Sequence, residues 1–254
     1  MKHIKRKFLK EHKFTQDGYD FTIEQGKVAK KIKGNLNDFV PYIITTDQKF
    51  IQGFFYNLDG KKVMIGEPNP IVIYFSNAQG FLSSILEYRN DLFEGLKNDK
   101  TDVDVILNAM FGFYSVVTSF SSSLFNSLEA MINSKIPKDF TMANSRRRNS
   151  TMNKYEVIRH TGFEDKIKIV LKHITGNNFA EKKNSDYNEL IKLKTLRDNI
   201  THAKANIDYE VNYYEKLYTE ALDFNYEKSL DSAKEFINFY EDNLIEPCDC
   251  GLTH

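Results

Sequence analysis

The sequence predicts a mainly α-helical protein, a helical bundle with a small antiparallel β element near its N-terminus. After Asn77, apolar residues recur every three or four positions over several long stretches, as on one face of a helix. Before Asn77, β-branched and aromatic residues dominate, and an Asp-Gly pair separates two apolar runs. We therefore expect an N-terminal β-containing region of open role at residues 1–78 and a helical domain at residues 79–254.

The predicted β element lies between about Phe39 and Ser76. "Asp59-Gly60" is typical of a tight hairpin turn, so two strands are expected with Leu58 and Lys61 flanking that turn. The turn-forming "GEPNP" precedes "IVIYFS", which we interpret as a further short strand.

Five helices are predicted after the β element. The second opens at a Thr or Asp cap, stops before Pro137 and carries the longest apolar stripe, made of Val103, Ile106, Met110, Phe113, Val117, Phe120, Leu124, Leu128 and Met131. The fourth has a buried seam of Leu190, Leu193, Leu196 and Ile200. The five helical stretches are "QGFLSSILEYRNDLFEGLKN", residues 101–136, "GFEDKIKIVLKHIT", "YNELIKLKTLRDNITHAKAN" and "SLDSAKEFINFYEDNL". Loops are expected at residues 141–154 and 176–186, with an aromatic-rich connector from Ile207.

Composition narrows the class of protein. The chain is 41% apolar and 28% charged, the balance of a soluble globular protein, and has neither a long apolar span nor the features of a signal peptide. Two cysteines cannot build a disulfide framework, so we expect a cytoplasmic protein with no membrane partner. Cys248, Cys250 and His254 are too few and too poorly spaced for a zinc site, and "CDCGLTH" is interpreted as a flexible tail.

The net charge of zero conceals an uneven distribution. Residues 135–204 hold 16 Lys and Arg against 8 Asp and Glu, whereas residues 205–254 hold 3 against 12. A nucleic acid or the acidic end of a second subunit would suit the basic part, and charge sign alone does not decide between them.

The stretch "RDNITH" is the candidate for chemistry. Arg197 and His202 are five residues apart, so on a helix they point about 140° apart, whereas Asp198 and His202 share a face. This spacing is inconvenient for a site within one subunit but compatible with a composite site in a symmetric dimer. The alternative is an ordinary solvated polar face.

The Arg-polar-x-x-x-His pattern on a late helix resembles the motif of HEPN domains (higher eukaryotes and prokaryotes nucleotide-binding). The order of "NSLEAMINSKIP", "GFEDKIKIVLKHITG" and "LKTLRDNITHAK" is similar to that family too, over roughly residues 80–245. The resemblance implies a homodimeric, metal-independent endoribonuclease without a cofactor, with a toxin or anti-phage defence role and a possible antitoxin or regulatory partner. It assigns Arg197, Asp198 and His202 to the motif.

The implied chemistry suits these side chains. Histidine can exchange a proton near neutral pH, and so can assist attack of an RNA 2′-hydroxyl or protonate the leaving oxygen. Arg197 can stabilise charge on the phosphate, and Asp198 can orient the imidazole. The rival hypotheses are a noncatalytic HEPN module that binds RNA, a nucleotide or a protein, and an interaction scaffold.

Two further groups of residues have both a functional and a structural interpretation. Glu129 and Asn133 share a helical face and can either hold Arg197 or His202 in place or cap the end of their own helix. The Arg146–Arg148 run lies in a polar loop and can bind RNA phosphates or remain solvated.

Overall fold

The computed structural model of the protein describes residues 2–9, 11–13, 41–44, 49–143, 150–202 and 213–250. The protein is mainly helical with a small N-terminal antiparallel sheet, which confirms the predicted fold class at that level. Its residues form two compact units, Arg6–Val72 on the one hand and Met1–Lys5 with Ile73–His254 on the other. The domain division after residue 78 stays a prediction.

A long central strand organises the sheet. The first residues of β3 pair with β1 on one edge and β2 on the other, and its remainder pairs with β4. Asp59 and Gly60 join β3 to β4 with φ angles of 51° and 80°. Positive φ at both central residues is what a type I′ hairpin requires, and the predicted Asp-Gly hairpin is confirmed. The strands are β1 (Glu11–Lys13), β2 (Tyr42–Ile44), β3 (Lys49–Leu58) and β4 (Lys61–Gly66).

The expected strand "IVIYFS" is wrong, because these residues begin helix α1 (Pro70–Lys97). The side-chain oxygen of Asn69 accepts a hydrogen bond from the backbone N–H of Ile71, and Pro70 takes the first helical position, where its missing N–H costs nothing. These two residues start a helix whatever the β-propensity of the residues that follow.

The other predicted helices lie close to their expected places. α2 starts at the predicted cap, where the carboxylate of Asp102 accepts from the N–H of Asp104, and it ends before Pro137. The stretch from Phe163 to Thr175 is helical throughout, but its centre is a π-helix. The helices are α2 (Val103–Lys135), α3 (Lys154–His160), α4 (Phe163–Asp165), the π-helix (Lys166–Leu171), α5 (Lys172–Thr175), α6 (Phe179–Lys182), α7 (Asn184–Thr201), α8 (Tyr213–Asp223) and α9 (Tyr226–Tyr240).

Three stretches predicted to lack structure contain short elements. Residues 141–154 include β5 (Thr141–Ala143) and β6 (Thr151–Asn153), where Met152 joins a small buried cluster, and α6 occupies part of the second loop. Phe179 anchors α6 because its ring is fully buried against Phe236. The connector contains α8. Tertiary packing holds these elements, and their local sequence gives little sign of it.

The core of the larger unit is made by α2, α7 and α9, each of which packs against the other two. The predicted stripe of α2 is buried from Phe113 to Met131, but at its start Val103 is 66% exposed. On α7, the predicted seam is fully buried except Ile200, which is half-buried.

The residues around Cys248 are not a flexible tail as far as the structure describes them. Ile4 and Pro247 form an antiparallel bridge, and the N–H of Cys248 donates to the carbonyl of His3. This pairing could not be predicted from a local pattern, because its two segments are more than 240 residues apart.

Gly53 allows β3 and β4 to lie close together. A Cβ atom at this position would come within 2.4 Å of the carbonyl oxygen of Ile65, which is backbone and cannot rotate away. We expect Gly53→Ala to lower the free energy of unfolding by about 1–3 kcal/mol, measured by urea denaturation. The control is Gly80→Ala in α1, where a Cβ meets nothing within 4 Å and a gain of about 0.5–1 kcal/mol is expected. A Gly53→Ala protein as stable as the wild type would contradict this account.

Candidate functional site

Helix α7 carries the motif residues and is fixed by its buried side. Leu190, Leu193 and Leu196 are fully buried in the core formed with α2 and α9. The motif begins at the next residue, so the position of Arg197 is set by the packing of Leu196. The helix ends at Thr201, and His202 is its C-terminal cap with non-helical backbone angles.

Arg197 is held on an aromatic surface. Its guanidinium carbon lies 3.9 Å from the ring centroid of Phe125 in α2, within the range of a cation–π interaction. The ring of Phe125 is itself 4.9 Å from that of Phe163, centroid to centroid. About a quarter of the Arg197 side chain (25%) remains exposed to solvent. The guanidinium is therefore fixed in place and still accessible.

Asp198 does not have the expected partner. One carboxylate oxygen accepts a hydrogen bond from Nη1 of Arg197 at 2.7 Å, and the other accepts from Nζ of Lys194 at 2.8 Å. The carboxylate thus bonds two cations and does not bond the imidazole of His202, contrary to the predicted role of Asp198. Two positive charges around one carboxylate leave the cluster with one excess positive charge.

His202 is exposed at the end of α7. Its backbone N–H donates to the carbonyl of Asp198. Five residues of helical rise place it about 7.5 Å beyond Arg197 along the axis of α7. Next to it, the amide of Asn199 donates to the carboxylate of Glu220 and ties the end of α7 to α8. The structure therefore places Arg197 and His202 at one end of one helix without joining them by a contact.

Glu129 is engaged elsewhere than predicted. Its carboxylate accepts from Nζ of Lys166 at 2.9 Å, and the side chain of Lys166 is only 4% exposed. Neither Arg197 nor His202 bonds to Glu129. Glu129 instead neutralises a lysine buried at the first residue of the π-helix, a backbone form that often occurs at functional sites.

The remaining predicted residues are not joined to the motif. The side-chain oxygen of Asn133 is buried and has no hydrogen-bond partner among the described residues, so neither of its two expected roles is seen. Arg146, Arg147 and Arg148 lie outside the described residues, and their RNA-binding role stays a prediction.

The residues that support Arg197 and Asp198 were not predicted. Phe125 lies beside Leu124 of the predicted stripe, and Lys194 lies one helical turn before Asp198. The second spacing is a recognisable signal for a salt bridge on a helix. The contact between Phe125 and Arg197 had no such signal, because it joins two distant helices.

A second polar cluster joins α4, the π-helix and α7. The hydroxyl of Tyr187 donates to the carboxylate of Glu164 at 3.2 Å, and Nζ of Lys168 lies 5.0 Å from the ring centroid of Tyr187. Burial raises the pKa of the Tyr187 phenol above its ordinary value. This cluster holds α4 and the π-helix to α7.

Helix α2 is also the one described helix that is long and apolar enough to span a membrane. Only 22% of its most apolar window is buried within the protein. Core helices of soluble proteins pass the same test, and the second half of α2 is the centre of the core described above.

No protein-family model, no curated protein and no solved structure matches this chain. The HEPN resemblance therefore stays a prediction that rests on the motif and on the order of the helices.

Stability measurements can test whether Glu129 compensates the buried charge of Lys166. Glu129→Gln leaves the buried ammonium of Lys166 without its counter-charge, and we expect a loss of about 3 kcal/mol in unfolding free energy. Lys166→Met leaves only the carboxylate of Glu129, whose side chain is 27% exposed and partly hydrated, and should cost less.

Urea denaturation of both variants and of the double variant measures these changes. The double variant should be more stable than Glu129→Gln alone, because it removes the unpaired charge. A greater loss of unfolding free energy from Lys166→Met than from Glu129→Gln would contradict the role of Glu129 as the counter-charge of a buried lysine.

Proposed function

We propose that the protein is a metal-independent endoribonuclease of HEPN type, with Arg197 as the phosphate-binding residue and His202 as the proton-transfer residue. The observation that carries the proposal is the fixed and still accessible guanidinium of Arg197 on Phe125, at the helix end that also bears the exposed imidazole of His202.

The reaction that suits these groups is transesterification within RNA. The 2′-hydroxyl attacks the adjacent phosphorus, the bond to the 5′-oxygen breaks, and a cyclic phosphate and a 5′-hydroxyl are formed. One imidazole takes the proton of the 2′-hydroxyl, or a protonated imidazole gives a proton to the leaving oxygen. Arg197 stabilises the added negative charge on the phosphate oxygens.

Asp198 positions the guanidinium in this proposal. Its carboxylate takes up one N–H of Arg197, and a guanidinium has five N–H donors. Lys194 shares the charge of Asp198 and so limits how strongly the carboxylate competes with an incoming phosphate. The excess positive charge of the cluster favours a polyanion.

A homodimer would supply the second proton-transfer group. Base and acid are both needed in one step, and a pair of chains offers two imidazoles around one cleft. An exposed apolar row on α2 supports such pairing. Val103, Leu107 and Phe111 lie four residues apart on one helical face and are 66%, 42% and 71% exposed. Rows of large exposed apolar side chains are typical of protein interfaces.

The proposal includes a biological setting taken from the resemblance. A cytoplasmic nuclease with these features would act as a toxin or anti-phage effector on cellular or phage RNA, restrained by an antitoxin or another regulatory partner. The second candidate is a noncatalytic HEPN module that binds RNA, a nucleotide or a protein. The engagement of Asp198 with Arg197 and Lys194, away from His202, favours it, because phosphate binding needs no oriented imidazole.

Cleavage assays in EDTA separate the two candidates. Wild type should cut a mixed RNA panel, and His202→Ala should lose about 10²–10⁴-fold in rate because no group transfers the proton. Arg197→Ala should lose about 10²–10³-fold. Gel analysis of end-labelled RNA measures the cuts and identifies the cyclic phosphate ends.

His160→Ala is the matched control, since His160 is an exposed histidine at the end of α3, outside the motif. It should cleave like the wild type. Cleavage that persists in His202→Ala and Arg197→Ala contradicts the assignment of these residues. RNA binding without cleavage across the panel favours the noncatalytic module.

The dimer is tested by Phe111→Ser. Removing the large exposed ring should shift the protein from dimer to monomer in light scattering coupled to size exclusion, without loss of helical circular dichroism. Tyr155→Ser is the control, because Tyr155 is 72% exposed on another helix. A wild type that is monomeric at all concentrations would contradict the composite site.

A further inference from the structure

Two segments from opposite ends of the sequence meet in the larger unit. The carbonyl of His3 accepts from the N–H of Cys248 at 2.6 Å, and the N–H of Lys5 donates to the carbonyl of Glu246 at 2.8 Å. Ile4 and Pro247 form the bridge between these two hydrogen bonds. The pairing places the side chains of residue 3 and residue 248 in the same neighbourhood.

The pairing is anchored to the helices on both sides. The fully buried side chain of Gln79 in α1 donates to the carbonyl of Lys2 at 2.7 Å. The side chain of Asn238 in α9 binds the backbone of Ile245 twice, with its oxygen accepting from the N–H and its nitrogen donating to the carbonyl. Ile4 is buried too, at 5% exposure. The backbone under the paired segment is therefore held in place.

Three side chains that ligate soft metals converge there. A ring nitrogen of His3 and the sulfur atoms of Cys248 and Cys250 all lie within 4.8 Å of one another, and the sulfur of Cys250 is 3.7 Å from Nδ1 of His3. A tetrahedral zinc ion with bonds of about 2.3 Å to sulfur and about 2.0–2.1 Å to nitrogen sets these atoms about 3.6 Å apart. The observed separation is that of two ligands on one ion.

We infer that Cys248 and Cys250, which were expected to lack enough ligands for a zinc site, form one with His3 and so fasten the two paired segments together. Two thiolates balance the charge of Zn²⁺, and this sulfur and imidazole set selects zinc over magnesium or calcium, which prefer oxygen. Binding releases the two thiol protons to solvent. Water or a fourth ligand completes the tetrahedron.

The proposed zinc site would stabilise the folded protein. A zinc ion that binds the folded protein and not the unfolded chain stabilises the fold, because unfolding must separate His3 from the two cysteines and release the ion. It is separate from the proposed RNA cleavage, which uses no metal and different residues. The chemical rival is a disulfide between Cys248 and Cys250, which are both thiols in the structure.

The test uses the full chain, expressed in zinc-supplemented medium and purified under reducing conditions with no histidine tag left on it. Mass spectrometry of the metal content should find one zinc ion per chain. Replacing zinc with Co²⁺ should give the absorption bands of tetrahedral cobalt and of cobalt–thiolate charge transfer. A chelator that removes the zinc should lower the melting temperature.

The variants are His3→Gln, Cys248→Ser and Cys250→Ser, with His160→Gln as the matched control. Each of the first three should lose more zinc affinity than the roughly 10–100-fold that removal of an outer-shell partner costs, and should lose the cobalt–thiolate bands or have them weakened. His160→Gln and the proposed nuclease variant His202→Ala should bind zinc like the wild type, so this result is independent of RNA cleavage.

Three results would overturn the inference. The first is reduced, folded wild type that binds neither zinc nor cobalt. The second is metal binding that survives unchanged in His3→Gln and both cysteine variants. The third is a Cys248–Cys250 disulfide in the purified protein with no metal uptake after reduction. Circular dichroism of each variant confirms that a lost metal does not come from a lost fold.

Discussion

Burial of the leucine seam of α7 between α2 and α9 is the constraint on which the candidate site depends. Leu193 and Leu196 have no exposed surface, so α7 can neither rotate nor slide without opening the core. That fixed register brings Arg197 over Phe125, which is buried on the facing helix. The polar chemistry is thus positioned by apolar packing. The hydrogen bonds to Asp198 refine the orientation of a group whose place the core has already set.

The elements that could be predicted are those defined by a few neighbouring residues in the sequence. The Asp59-Gly60 turn is such a case, because few residues tolerate positive φ at two successive positions. The cap at Asp102 and the stop before Pro137 were also readable. The start of α1 was misread because β-branched and aromatic residues after Pro70 suit a strand, whereas the cap at Asn69 determines the outcome. The short elements β5, β6 and α6 were missed for the opposite reason, since only distant contacts stabilise them.

In the candidate site, too, local features could be predicted and contacts between distant residues could not. The motif residues were chosen from their spacing. Arg197 lies on Phe125, His202 is the non-helical cap of α7, and the expected angle between their side chains stays a prediction. The hydrogen-bond partner of each side chain could not be predicted, because it depends on which groups the folded chain brings near and how strongly each one binds. Asp198 had a histidine on its own face and bonds two cations instead, which offer stronger electrostatic pairing. Likewise, Lys166 takes Glu129 because a buried ammonium requires a counter-charge.

The π-helix has a consequence for how this chain tolerates changes in length. A π turn contains one residue more than an α turn, so the stretch Lys166–Leu171 has the form of a single-residue insertion absorbed within a helix. Deleting one residue there would restore regular α-helical bonding yet rotate the preceding turn by about 100° relative to the following one. Lys166 would then swing off Glu129. The surplus residue therefore sets the direction in which Lys166 points toward Glu129.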